Sequence, residues 1–132
     1  MILKTMAMKT TTTLAVAFVV FATSLPVADA FAASVRVKCD KQSNRSKVSV
    51  DGRGLVAGSY VAKIISGDNT KKSEPISGAG EVGFDFDSDP GNIAAGATAI
   101  TANFIQGGKV TGQIIDSHGF TIAHATGICR VR

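Results

Sequence analysis

The chain has 132 residues, 45% hydrophobic and 18% charged, with 14 Gly, 3 Pro, 2 Cys, no Trp and a formal net charge of +4. That length accommodates one domain, and the composition excludes a disordered acidic tail, a collagen-like repeat and a cysteine-dense toxin scaffold. The small positive balance permits attraction to anionic surfaces without demanding a nucleic-acid partner.

The first element in chain order is a targeting segment. Lys4 and Lys9 give a basic start, an uncharged stretch runs from Thr11 to Leu25, Pro26 breaks it, and Ala28-Asp29-Ala30 places small residues at a cleavage site. Basic region, short apolar region and A-x-A site, in that order, are the parts of a secretory signal. A retained span would need about 20 apolar residues, and Pro26 and Asp29 interrupt this one early. The expected organisation is therefore a signal peptide over 1–30 and a single domain over 31–132. Cleavage after Ala30 leaves 102 residues beginning at Phe31, and losing Lys4, Lys9 and Asp29 lowers the formal charge from +4 to +3. No later run approaches spanning length, so the expected destination is secreted or periplasmic, with no membrane span after cleavage.

From Phe31 onward the pattern has period two. Residues 34–39 (SVRVKC) put Val35, Val37 and Cys39 on one face of a strand and Arg36 and Lys38 on the other. Residues 40–44 are polar and read as a loop. Residues 47–50 (KVSV) form a second strand, ended by Asp51-Gly52, a dipeptide favoured in tight hairpins. Residues 59–66 (SYVAKIIS) form a third, stopping at Gly67-Asp68-Asn69.

The sharpest alternation is EVGFDFD at 81–87, with Val82, Phe84 and Phe86 inward and Glu81, Asp85 and Asp87 outward. Residues 89–92 (DPGN) form a turn. The Ala-rich stretch 93–99 suggests one loose helical turn, with Gly91 and Gly96 opposing anything longer. Further strands are expected at 100–105, 109–116, 120–125 and 128–131, two of them joined by a hairpin at Asp116-Ser117-His118-Gly119. Phe120 is expected to look inward, and His124 to be half-buried on the face of Phe120 and Ile122. Seven to nine short strands with regularly spaced turns and no amphipathic helix imply an all-β fold. An antiparallel β-sandwich of immunoglobulin-like type is expected, with a small β-barrel as the alternative.

Cys39 and Cys129 lie near the two ends of the folding domain. In an oxidising compartment such a pair forms a disulfide. Closing a loop of about 90 residues is worth roughly 4 to 5 kcal/mol in the chain-entropy model. A metal or redox pair is disfavoured, because there is no C-x-x-C and no neighbouring His.

Two constellations suggest binding. Arg36 and Lys38 alternate with the residues leading to Cys39, and Arg130 and Arg132 with Cys129 and Val131. If the disulfide joins neighbouring strands, these four cations share a face and form an anion-binding patch. If it crosses between sheets, they lie on opposite faces and the patch disappears. The second constellation is acidic: Glu81, Asp85, Asp87 and Asp89 recur at short intervals, as in calcium loops. The EF-hand form is excluded, because the twelfth residue from Asp85 is Gly96 rather than Glu. A looser calcium site stays open, as does a transition-metal site built from Asp116, His118 and His124.

Enzymatic motifs are missing. Asp116, Ser117 and His118 are consecutive and cannot converge as a triad, and no G-x-S-x-G is present. Gly52-Arg53-Gly54 with Gly58 departs from the dinucleotide-binding spacing, and no helix follows. Asn44-Arg45-Ser46 fits a glycosylation sequon. With no Trp and one Tyr, the domain is poor in the stacking platforms that single-stranded nucleic acid uses, and no nucleic-acid partner is expected. The expected function is an exported, non-enzymatic binding or structural module with one disulfide and no cofactor. The alternative is a small secreted protein binding calcium or a transition metal.

Overall fold

The computed structural model describes residues 32–132. The signal segment and its cleavage site lie outside the described residues. What is described is mostly β-strand with almost no helix, and the strands are arranged in a mixed sheet. The strands are β1 (Ser34–Gln42), β2 (Arg45–Ser66), β3 (Asn69–Lys72), β4 (Ile76–Asp87), β5 (Thr98–Ala99), β6 (Lys109–Ile115), β7 (Thr121–Ile128) and β8 (Arg130–Val131), with one short helix, α1 (Pro90–Ala94).

β2 organises the rest. Its first half pairs antiparallel with β1 on one side, from Ser34 opposite Arg53 to Gln42 opposite Arg45, and with β4 on the other. Its second half pairs antiparallel with β3 and with β6, and β6 pairs antiparallel with β7. Two two-residue ladders are parallel, β1 with β8 and β4 with β5. The sheet is therefore mixed, where a wholly antiparallel arrangement was expected.

The expected hairpin turn at Asp51-Gly52 does not form. Asp51 lies opposite Arg36 and Gly83, and Gly52 opposite Val35 and Val82, so the strand runs through both positions. The glycines serve a bend instead. Gly54 has a φ of 67°, a conformation disfavoured for residues with a Cβ, and the β2–β4 register shifts between Gly52 and Leu55 and between Leu55 and Gly58. Turn chemistry here was outweighed by pairing available on both edges.

The inward face follows the alternation. Val48, Val50, Ala62, Ile64, Phe84, Phe86, Val110 and Ile114 are buried and belong to one core cluster. The expected strand at 100–105 is instead an irregular segment that inserts Ile100, Phe104 and Ile105 into that core. Its backbone is satisfied elsewhere. Ile100 donates to the Asp87 carbonyl, Ile105 donates to the buried Ser46 hydroxyl, and Ser46 donates to the Ala102 carbonyl. The helical turn starts earlier than the Ala-rich stretch, because Asp89 caps it by accepting from the Asn92 amide and Pro90 opens it.

Two residues near the last hairpin differ from expectation. The β6–β7 register slips between Ile114 and Ile115, leaving Ile122 as the extra residue of a bulge. Ile122 packs against the core, while Phe120 at the hairpin end is 68% exposed. The slip also breaks the face assumed for His124, which is exposed and lies opposite Gln113.

At one place the chain packs backbone against backbone. A Cβ on Gly127 of β7 would lie 2.6 Å from the Val37 carbonyl oxygen of β1, and one on Gly112 of β6 would lie 2.7 Å from Val37 Cγ2. Glycine at 127 lets the β1 backbone lie close against β7, and glycine at 112 leaves room for the Val37 side chain.

Candidate functional site

Cys39 and Cys129 form a disulfide with their Cα atoms 4.6 Å apart. Cys39 lies within β1 and Cys129 between β7 and β8. One residue further along, Asp40 and Arg130 are partners in the parallel β1–β8 ladder, and the Arg132 amide donates to the Lys41 carbonyl. The disulfide thus joins neighbouring strands at a sheet edge. Of the two arrangements the sequence allowed, this is the one that brings the four cations to one side.

Arg36 and Lys38 are exposed on the outward face of β1, alternating with half-buried Val35 and Val37 and buried Cys39. Arg130 and Arg132 are exposed beside the same strand. The outward row of β1 continues to Asp40, which accepts ion pairs from both arginines, at 3.3 Å from Arg130 and 4.0 Å from Arg132. Sequence reasoning missed Asp40 by placing it in a loop, although the alternation Arg36, Lys38, Asp40 extends unbroken. Lys47 was missed too; it faces Asp40 across the β1–β2 ladder.

Lys38, Lys47 and Arg130, with Asp40 among them, line an open depression of about 410 Å³ whose lining is completed by Val37, Cys39, Ser49 and Ile128. Three cations and one carboxylate leave it two charges positive. Such a site attracts anionic groups through long-range fields and flexible donors, and ionic strength weakens that attraction.

The acidic constellation takes a different form. Asp87 is buried, and both of its carboxylate oxygens are occupied. Arg45 Nε donates to Oδ1 at 3.0 Å and its terminal nitrogen to Oδ2 at 2.8 Å; the Asp89 amide and the Asn92 side chain also donate. Burial pushes the Asp87 carboxyl up, but the hydrogen bonds from Arg45, Asp89 and Asn92 and the Arg45 charge together hold it far below the usual carboxylate range. Asp89 is committed to capping α1. Asp85 accepts from Ser49, and Glu81 pairs with Arg53 at 3.6 Å on the exposed surface. The four acidic residues therefore have four separate settings.

The histidine hairpin is likewise dispersed. Asp116 accepts from the backbone amides of His118 and Phe120, and His124 projects from β7 beside Gln113. Among the described residues, no group of three or more His, Cys, Asp or Glu side chains is placed to hold a metal ion. Gly52-Arg53-Gly54 forms the bend in β2 and precedes no helix. In the sequon, Ser46 is buried and its hydroxyl is engaged. Comparison with known proteins finds no matching family model, no matching curated protein and no matching solved structure.

Proposed function

We propose that the protein is an exported, non-enzymatic module that binds anionic groups through the cationic face beside its disulfide. One observation carries this reading: the parallel β1–β8 pairing gathers Arg36, Lys38, Arg130 and Arg132 on one side of the sheet, with Lys47 next to them. The disulfide supports an oxidising destination, consistent with the signal pattern of the first 30 residues. The fitting partners are sulfated or phosphorylated polymers, acidic protein segments or anionic head groups, which share dense negative charge.

The fold behind this site is read as a two-layer β-sandwich. The approach of β1 to Gly112 and Gly127 supports that reading, because residues of two different ladders pack face to face there. The location of the disulfide at a sheet edge favours a sandwich unlike the immunoglobulin type, whose bridge crosses between layers.

Binding of a labelled dextran sulfate at low and at high salt tests the function. Low-salt binding is expected, falling steeply with salt, and weakened on the order of tenfold when Lys38 and Lys47 are both replaced by Ala, since each partly screened contact is worth up to about 1 kcal/mol. Absence of low-salt binding refutes the proposal. N-terminal sequencing of the exported protein tests the destination, with Phe31 as the expected first residue.

A further inference from the structure

The outer edge of β7 is the second feature that calls for a partner. Among the described residues, β7 pairs with β6 alone. The Cys129 amide donates to the Gly108 carbonyl, which sets the phase of the ladder. Gly127, Ala125 and Ala123 exchange backbone bonds with β6, and the amides and carbonyls of His124, Thr126 and Ile128 point the other way. β1 lies against the inner face of β7 through Gly127, and among the described residues that outward row has no backbone partner. The side chains of His124, Thr126 and Ile128 are exposed, Ile128 by 81%.

Natural sheets protect such edges with charge, proline, bulges or brevity. Other edges among the described strands are protected in these ways. β3 has four residues and carries Lys71 and Lys72; β5 and β8 have two each, with Arg130 in β8. The long outer edge of β4 carries Glu81 and Asp85, and its pairing with β2 is broken by register shifts. β7 runs for eight residues, TIAHATGI, without Lys, Arg, Asp, Glu or Pro, and beyond its bulge at Ile122 the six residues from Ala123 to Ile128 keep an unbroken register.

We infer that this edge pairs antiparallel with the same edge of a second copy. In a two-fold pair each edge meets its own counterpart, so the basic edge of β3 and the acidic edge of β4 would each set like charges against like; β7 meets itself without charge. The symmetric register that uses the free row sets Thr126 opposite its own counterpart and His124 opposite Ile128 of the other copy, exchanging about six backbone hydrogen bonds. It also extends a side-chain ladder already present. Thr111 and Thr126 are hydrogen-bonded at 2.8 Å on the outer face, and the two-fold axis continues that row into the second copy. Such an interface is isologous and closed, so it yields a dimer and not a fibre.

Sedimentation of the wild-type chain up to hundreds of micromolar reads the oligomeric state, and cross-linking reads the register. Facing Cα atoms at Thr126 would stand about 5.5 Å apart, within disulfide range. Thr126→Cys is expected to form a covalent dimer on the order of tenfold or more faster than Thr70→Cys on the opposite edge of the same sheet, through effective concentration. Thr126→Lys is expected to be monomeric with an unchanged circular dichroism spectrum. A wild-type chain that stays monomeric, equal cross-linking rates for the two cysteine variants, or a Thr126→Lys chain that still dimerises would each overturn the inference.

Discussion

Val37 touches two glycines in chemically different ways, and that difference gives a sharp test of the packing. A Cβ on Gly112 meets Val37 Cγ2 at 2.7 Å and Val50 Cγ2 at 3.2 Å, both side-chain atoms. A Cβ on Gly127 meets the Val37 carbonyl oxygen at 2.6 Å and its carbonyl carbon at 3.2 Å, both backbone. Overpacking of this kind costs about 1–3 kcal/mol. Gly127→Ala belongs at the upper end, because β1 itself must move and the disulfide holds its end in place. For a domain of this size each kcal/mol lowers the Tm by roughly 4–8 °C. Gly83→Ala is the control: its Cβ meets only Asp51 Oδ1, the end of a half-buried side chain, at 3.1 Å, and a change within about 0.5 kcal/mol is expected. The decisive step is adding Val37→Ala to each variant and measuring chemical denaturation. Val37→Ala should recover much of the loss in Gly112→Ala, since it removes the clashing methyl, and should not recover Gly127→Ala. Equal rescue of both, or of neither, refutes the reasoning.

Replacing Cys39 and Cys129 together by Ser should cost about 4 to 5 kcal/mol, read from denaturant midpoints; a loss under about 1 kcal/mol would mean that closing the 90-residue separation does little to restrict the unfolded chain. Asp87 makes acid stability diagnostic. Its folded-state carboxyl is held below the unfolded value, so its contribution is complete above about pH 4 and disappears as pH falls through the folded value. Thermal melts from pH 5 down to pH 2 should therefore show a steeper loss for wild type than for Asp87→Asn, and parallel curves would contradict the buried network.

The strands were legible where a single face decides burial. Val48, Val50, Phe84 and Phe86 alternate with polar residues, and each is buried. Alternation failed where backbone groups found partners outside a ladder. Ile100 to Ile105 has strand-like composition, but its amides and carbonyls bond to Asp87, Ser46 and each other across a turn. A one-residue bulge at Ile122 put His124 on the opposite face from Ile122, and nothing in the residue types there announces it. At the site, the four cations could be named in advance, but that Lys38 and Arg130 line one depression depended on the route of the chain between Cys39 and Cys129. Asp40 was legible and overlooked. Its neighbours from Asp40 to Asn44 are all polar, which hid the continuing alternation and the two-residue turn at Ser43-Asn44.

The reach of β2 also bears on how the molecule comes together. Its ladders with β1 and β3 grow from adjacent hairpins, Gln42 beside Arg45 and Ser66 beside Asn69. Its ladder with β6 must recruit Thr111 to Ile115 across the whole of β3, β4 and α1. Loop-closure entropy sets the order: the hairpins form on the microsecond scale, and the distant pairing waits on a much costlier closure. Because β6 carries β7 and Cys129 with it, the β2–β6 ladder returns Cys129 to the neighbourhood of β1. Oxidation and the β2–β6 pairing therefore each shorten the loop that the other must close.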